Sequence, residues 1–203
     1  MNIAIFGGSF NPVHIGHYAM VREVNRHFDI GSFFIVPAFK NPLKTRRPAI
    51  PTEIRLNMLG ATFSEFENVT ISTFELANGK TSYTVNTVEH FATLYPGHRL
   101  LLVMGADSLS SFHLWAKADR ILELCSILAF NRPAMIERSK DISIPGKKAR
   151  ILWIDAGIPD ISATEIRNAS LETVKSNRWL HPDAYSIWEA FIHGSDHFQT
   201  NTT

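Results

Sequence analysis

Ile3-Ala4-Ile5-Phe6-Gly7-Gly8-Ser9-Phe10-Asn11-Pro12-Val13-His14-Ile15-Gly16-His17 is the stretch that decides the fold. The unbroken apolar run Ile3 to Phe6 has the character of a strand buried on both faces, Gly7-Gly8-Ser9 that of a tight turn, and Ile15 onward that of a helix. Such a turn exposes backbone N–H groups beside the positive end of a helix, and together they favour a bound phosphate. His14 and His17, about one helical turn apart, stand beside whatever anion lands there. The stretch predicts a nucleotide site that handles phosphates.

At 203 residues the chain fits one domain, expected over residues 1–194, with a polar, frayed tail over 195–203. A domain of this size buries about 70% of its unfolded surface and needs no disulfide or metal to hold it together. Cys125 is the single cysteine, set in Leu124-Cys125-Ser126-Ile127-Leu128. It excludes a disulfide framework, points to a reducing compartment and reads as a buried, inert thiol. The N-terminus has no secretory pattern and no run approaches the ~20 apolar residues of a membrane span, so the expectation is a soluble, cytoplasmic protein. A net charge of +1 and a pI near 8.0 give no reason to expect a nucleic-acid or membrane partner. Lys40, Lys44, Arg46 and Arg47 cluster in the Pro-rich loop 37–51, either as a solvated basic loop or as cations offered to an anionic small molecule.

The remaining chain alternates apolar runs with helical periodicity. Ile15, Ala19, Met20, Val24 and Phe28 mark a first helix, and Phe33 to Val36 a second strand ended by Pro37. Thr52 reads as the N-cap of a helix buried through Ile54, Leu56, Met58, Leu59 and Phe63. Val69 to Ser72 is a third strand, Asn78-Gly79 a turn, and Ser82 to Leu94 a helix closed by Pro96-Gly97. Leu100 to Met104 is the most hydrophobic strand and should be central. It ends in Gly105-Ala106-Asp107, a second glycine turn. Short helical pieces follow over Leu109 to Leu124, then strands at Ser126 to Phe130 and Ile151 to Ile154, separated by a surface loop over Arg132 to Lys148. Ser162 to Arg167 has the look of a cap and first helical turn, and the last helix spans Asp183 to Ile192. This alternation predicts an α/β fold: a single Rossmann-like, doubly wound parallel sheet with helices on both faces. Ligands then sit beyond the carboxyl ends of the strands where their order reverses, and both glycine turns would line that crevice.

Taken singly, the candidate residues are ambiguous. Gly7-Gly8 lacks the G-x-G-x-x-G dinucleotide fingerprint, and a lone histidine at a helix start is often a hydrogen-bonded structural group. His14 and His17 have the spacing of a zinc pair, but no Cys or acidic ligand lies near enough in sequence to complete a shell. Asp107 could accept from ribose hydroxyls or from water on magnesium, or cap a helix. Trp115 by itself reads as a core residue.

Together with Ile161-Ser162-Ala163-Thr164-Glu165-Ile166-Arg167, the opening stretch resembles the two signatures of the nucleotidylyltransferase superfamily, and most closely those of bacterial nicotinate mononucleotide adenylyltransferases. The resemblance runs from Met1 to about Ile192. It implies transfer of the adenylyl group of ATP to nicotinate mononucleotide in NAD synthesis, by in-line attack without a covalent enzyme intermediate. By that resemblance His14, His17 and Arg167 are catalytic, donating to the ATP phosphates; Gly7, Gly8, Ser9, Phe10, Gly105, Asp107, Ser162 and Thr164 bind ATP, and magnesium comes with the ATP phosphates rather than on a protein metal site. Trp115 would stack on the pyridine ring, Thr84 and the Ala116 N–H would bond its carboxylate, and Lys44 and Arg132, with Arg46, would meet the mononucleotide phosphate.

Three positions depart from the family pattern. Asn11 replaces the usual Asp, Val13 a second Pro, and Leu43 a His in the basic loop. A nicotinamide mononucleotide or phosphopantetheine adenylyltransferase is the enzymatic alternative, and a catalytically silent nucleotide-binding regulator the alternative from another class. A homo-oligomer is compatible with the sequence.

Overall fold

A computed structural model of the chain describes residues 1–44, 48–130 and 150–199. Strands β1 (Asn2–Gly8), β2 (Ile30–Pro37), β3 (Val69–Ile71), β4 (Arg99–Gly105), β5 (Cys125–Phe130) and β6 (Ile151–Ile154) form one sheet in the order β3-β2-β1-β4-β5-β6. Every pairing is parallel. Around it lie helices α1 (Ile15–His27), α2 (Thr52–Phe63), α3 (Phe74–Ala77), α4 (Thr84–Leu94), α5 (Ala106–Ser110), α6 (Ala118–Leu124), α7 (Ala163–Asn168), α8 (Leu171–Ser176) and α9 (Pro182–Gln199), with a 3₁₀ turn at Phe112–Leu114.

The strands are continuous apolar runs because both faces are covered. Ala4, Phe6, Phe33, Ile35, Leu101 and Val103 point to one core, which α1, α2 and α9 fill with Val21, Val24, Met58, Leu59 and Trp188. Ile3, Ile5, Leu100, Leu102, Met104 and Ile127 point to the other, closed by Val85, Val88 and Phe91 of α4 and Ile121 of α6. Each fully buried Leu, Ile or Phe contributes about 1.5–3 kcal/mol. The expected doubly wound sheet is the fold observed, and among the described residues no helix is long and apolar enough to cross a membrane.

The strand order reverses between β1 and β4, and the register there is decisive. The β1–β4 ladder runs only from Asn2↔Arg99 to Ile5↔Leu102, whereas β1 stays paired with β2 as far as Gly8↔Pro37 and β4 with β5 as far as Gly105↔Phe130. The two central strands part company before their carboxyl ends, which opens the crevice between the two glycine turns.

Several expected boundaries move, for identifiable reasons. Pro51, not Thr52, occupies the cap position of α2, and Thr52 is its first residue. Helix α4 starts at Thr84 because Ser82 is engaged elsewhere: its N–H donates to the Lys40 carbonyl at 2.8 Å and its Oγ accepts the Phe39 N–H at 3.0 Å. Helix α9 continues past Gly194 to Gln199, since a glycine that does not adopt a left-handed conformation costs a helix only about 1 kcal/mol. Helices α3 and α8, of 4 and 6 residues, are too short to carry a readable period. The surface loop expected over Arg132 to Lys148, together with the assignments to Arg132, Arg46 and Arg47, lies outside the described residues.

Candidate active site

The phosphate turn leaves β1 through Gly7 and Gly8, and the chain then reverses at Phe10, which has φ of 42° and is buried, and at a cis Asn11–Pro12 peptide. A Cβ on Gly8 would lie 3.0 Å from the Phe10 ring, so the ring must shift to admit one, while at Gly7 and Gly105 a Cβ meets nothing within 4 Å. Gly7 and Gly105 both lie beyond the last β1–β4 pair, Ile5↔Leu102.

His14 caps α1 and is 8% exposed. His17 stands one turn on, its ring 3.7 Å from that of His14 and 5.0 Å from that of Phe10. The His14 N–H donates to His17 Nδ1 at 3.2 Å, so the neutral His17 ring carries its proton on Nε2. Gly16 leaves room for the arrangement: a Cβ there would sit 3.1 Å from His14 Nδ1 and 3.2 Å from the Pro159 carbonyl, and both would have to give.

The second signature arrives on the segment after β6. Ser162 caps α7 in a capping box, its N–H and hydroxyl both donating to Glu165 Oε2, at 2.8 and 2.6 Å. Arg167 lies in the last turn of this short helix rather than the first, and its side chain folds back to the phosphate turn. Nη1 donates to the carbonyls of Asn11 and Ala163, and Nη2 donates to Thr164 Oγ1 at 3.0 Å. The two segments thus meet where Arg167 holds the Asn11 carbonyl, three residues before His14 in the chain.

The other candidates are set farther round the crevice. Asp107 is exposed in the first turn of α5, and the cap position there belongs to Gly105, so the N-cap reading of Asp107 fails. Thr84 opens α4 and is tied through Ser82 to the basic loop that carries the exposed Lys44. Trp115 is half-buried against the second core, 5.3 Å from the Phe112 ring, and its Nε1 is enclosed without a hydrogen-bond partner among the described residues. Ala116 beside it is exposed. Among the described residues no group of three or more His, Cys, Asp or Glu is placed to hold a metal ion.

Two buried residues, Glu75 and Arg55, are not singled out by the sequence, and Asn11, which it marks only as a departure from the family pattern, takes a structural role. Asn11 Oδ1 accepts the Ile50 N–H at 2.9 Å, which closes the far end of the basic loop onto the phosphate turn. Glu75 is buried, accepts from Thr87 Oγ1, and is held above the usual carboxylate range by burial, against the opposing hydrogen bonds of Thr87 and Ser82. Arg55, 2% exposed, donates through Nη1 to the carbonyls of Ser9 at 2.8 Å and Ala38 at 3.0 Å. Burial pulls its guanidinium below the usual range. The signal for Arg55 was available: with Met58, Leu59, Thr62 and Phe63 it completes the buried stripe of α2, whereas Ile54 and Leu56 are only half-buried.

The chain is similar to known proteins in sequence and in fold. A family model described as cytidylyltransferase-like matches residues 5–169. A probable nicotinate-nucleotide adenylyltransferase of Aquifex aeolicus is 38% identical over 137 residues, covering 68% of this chain and 81% of its own. Another, of Flavobacterium johnsoniae, is 30% identical over 195 residues, covering 96% and 98%. The fold is shared with the solved structure of Plasmodium falciparum nicotinic acid mononucleotide adenylyltransferase complexed with APC, at a TM-score of 0.70 and 16% identity over 94% of this chain and 95% of that one. The chain belongs to the cytidylyltransferase-like family of nucleotidyltransferases, alongside the bacterial nicotinate-nucleotide adenylyltransferases.

Proposed function

We propose that this protein transfers the adenylyl group of magnesium-bound ATP to nicotinate mononucleotide, giving deamido-NAD and pyrophosphate. The observation that carries the reading is the meeting of Arg167 with the Asn11 carbonyl beside His14 and His17, at the mouth of the crevice between β1 and β4.

A phosphate oxygen of the mononucleotide attacks the α-phosphorus of ATP, one P–O bond forms, and the bond to the leaving pyrophosphate breaks in line with it. No proton needs to be removed from a phosphate nucleophile, so the protein's task is positioning and charge stabilisation. His17 Nε2 and His14 donate to the triphosphate as negative charge moves onto the leaving group, and Arg167 holds the β- and γ-phosphates with the part of its fork not committed to backbone carbonyls. Thr164 and the Ser162–Glu165 box fix the direction of that guanidinium. Gly7, Gly8, Ser9, Phe10 and Gly105 let the nucleotide lie close to backbone, and Asp107 takes a ribose hydroxyl or a magnesium-bound water. Magnesium enters as part of the nucleotide substrate.

For the acceptor, Lys44 and Arg132 are assigned to its phosphate, Thr84 and the Ala116 N–H to its ring carboxylate, and the Trp115 ring to stacking on the pyridine plane. The names carried by the Aquifex and Flavobacterium relatives support this acceptor. Pyrophosphate release with ATP and nicotinate mononucleotide, and the mass of the dinucleotide formed, test the proposal; release only with phosphopantetheine contradicts it.

A further inference from the structure

The nucleotide turn and the acceptor loop are separate segments, yet one buried side chain grips both. Arg55 Nη1 carries two hydrogens and spends one on the Ser9 carbonyl at 2.8 Å and the other on the Ala38 carbonyl at 3.0 Å. Ala38 is the first residue after β2, and its own N–H donates to the Gly8 carbonyl at 2.8 Å. The far end of the same loop returns to the turn through the Ile50 N–H and Asn11 Oδ1. The loop bearing Lys44 is therefore rooted at both ends in the phosphate turn.

A helix that needs only a filled core places an apolar residue in such a stripe, because a buried guanidinium is costly without a counter-ion. Among the described residues Arg55 has no carboxylate partner, its Nε has no hydrogen-bond partner, and Nη2 donates to Thr52 Oγ1 at 3.4 Å. What the fork supplies instead is a fixed distance between two carbonyls on adjacent strand ends.

We propose that Arg55 is a positioning residue that couples the two substrate sites, holding the phosphate turn and the root of the acceptor loop as one unit so that ATP ordering the first also orders the second. This rests on the assignment of ATP and nicotinate mononucleotide to those two segments. Coupling of this kind is reciprocal and measurable in binding alone.

The test is the affinity for nicotinate mononucleotide with and without an ATP analogue whose α,β-bridging oxygen is a methylene, in wild type, Arg55→Met and Arg55→Lys. The wild type should bind the acceptor at least about fivefold tighter with the analogue present. In Arg55→Met that ratio should fall to within about twofold of one, with Arg55→Lys between them, whatever happens to either affinity by itself. A wild-type ratio of one, or an unchanged ratio in the variants, overturns the proposal; if Arg55→Met does not fold, the wild-type and Arg55→Lys ratios still decide it. A purely structural Arg55 would lower the melting temperature and leave the ratio alone. Wild-type turnover in the same preparations separates the two assignments: no turnover overturns the acceptor, whereas turnover with an unchanged ratio in the variants overturns only the role of Arg55.

Discussion

Arg167 donates through Nη1 to the backbone carbonyl of Asn11, 156 positions earlier in the chain. Neither partner is a charge for the other; the bond is a brace that points a guanidinium across the mouth of the phosphate turn. Arg167→Lys keeps the charge and loses the planar fork, so it cannot hold Asn11, Ala163 and Thr164 together while facing a phosphate. Turnover should fall by about a hundredfold with the circular dichroism spectrum unchanged, as expected for one lost donor to transition-state charge. Wild-type rates in the lysine variant would remove Arg167 from the mechanism.

His17→Ala should leave the fold and ATP affinity near wild type and lower turnover by about a hundredfold. The ring is half-buried, so its loss opens little of the core, and the His14 N–H it caps can turn to water. Calorimetric titration with ATP, set beside steady-state rates, reads both halves of the prediction.

The two glycines that end β1 should behave oppositely. Gly7→Ala adds a methyl to open space, so the melting temperature should hold while ATP affinity drops, because the nucleotide is assigned to that space. Gly8→Ala pushes a methyl to 3.0 Å from the Phe10 ring and should lower stability by about 1–3 kcal/mol. Equal effects of the two substitutions on stability would contradict the packing described.

Cys125 is 7% exposed and burial pushes its thiol up to about 12. At pH 8 the native protein should resist a thiol reagent that labels it readily in denaturant. The thiol is neutral when folded and ionises near 9.0 when unfolded, so its contribution to stability is complete below pH 9 and disappears as pH rises toward 12. Denaturation of wild type and Cys125→Ala across that interval should show the wild type alone losing this increment.

Much of this architecture was legible because buried parallel strands announce themselves as unbroken apolar runs, and Ile3 to Phe6 and Leu100 to Met104 are two of them. The glycine turn was legible from Gly7 and Gly8, and the Ser162 cap from the look of a helix start; the reciprocal bonds between Ser162 and Glu165 are added by the structure. The parting of β1 and β4 was not, because register is set by how far each ladder runs and no local residue encodes it. Arg55 is harder to read for a different reason: as a charge it interrupts the apolar stripe whose period it completes. Thr52 and Asp107 look like caps in sequence, yet the cap positions went to Pro51 and Gly105.

The most direct test of the whole account is kcat/KM for nicotinate mononucleotide against nicotinamide mononucleotide, with ATP saturating, followed by pyrophosphate release. Thr84 and the Ala116 N–H are both donors, suited to a ring carboxylate more than to an amide. The account predicts at least about a tenfold preference for the acid, the discrimination expected when a charge-assisted hydrogen bond of about 1.5–3 kcal/mol is lost. Equal rates, or a preference for the amide, would contradict it.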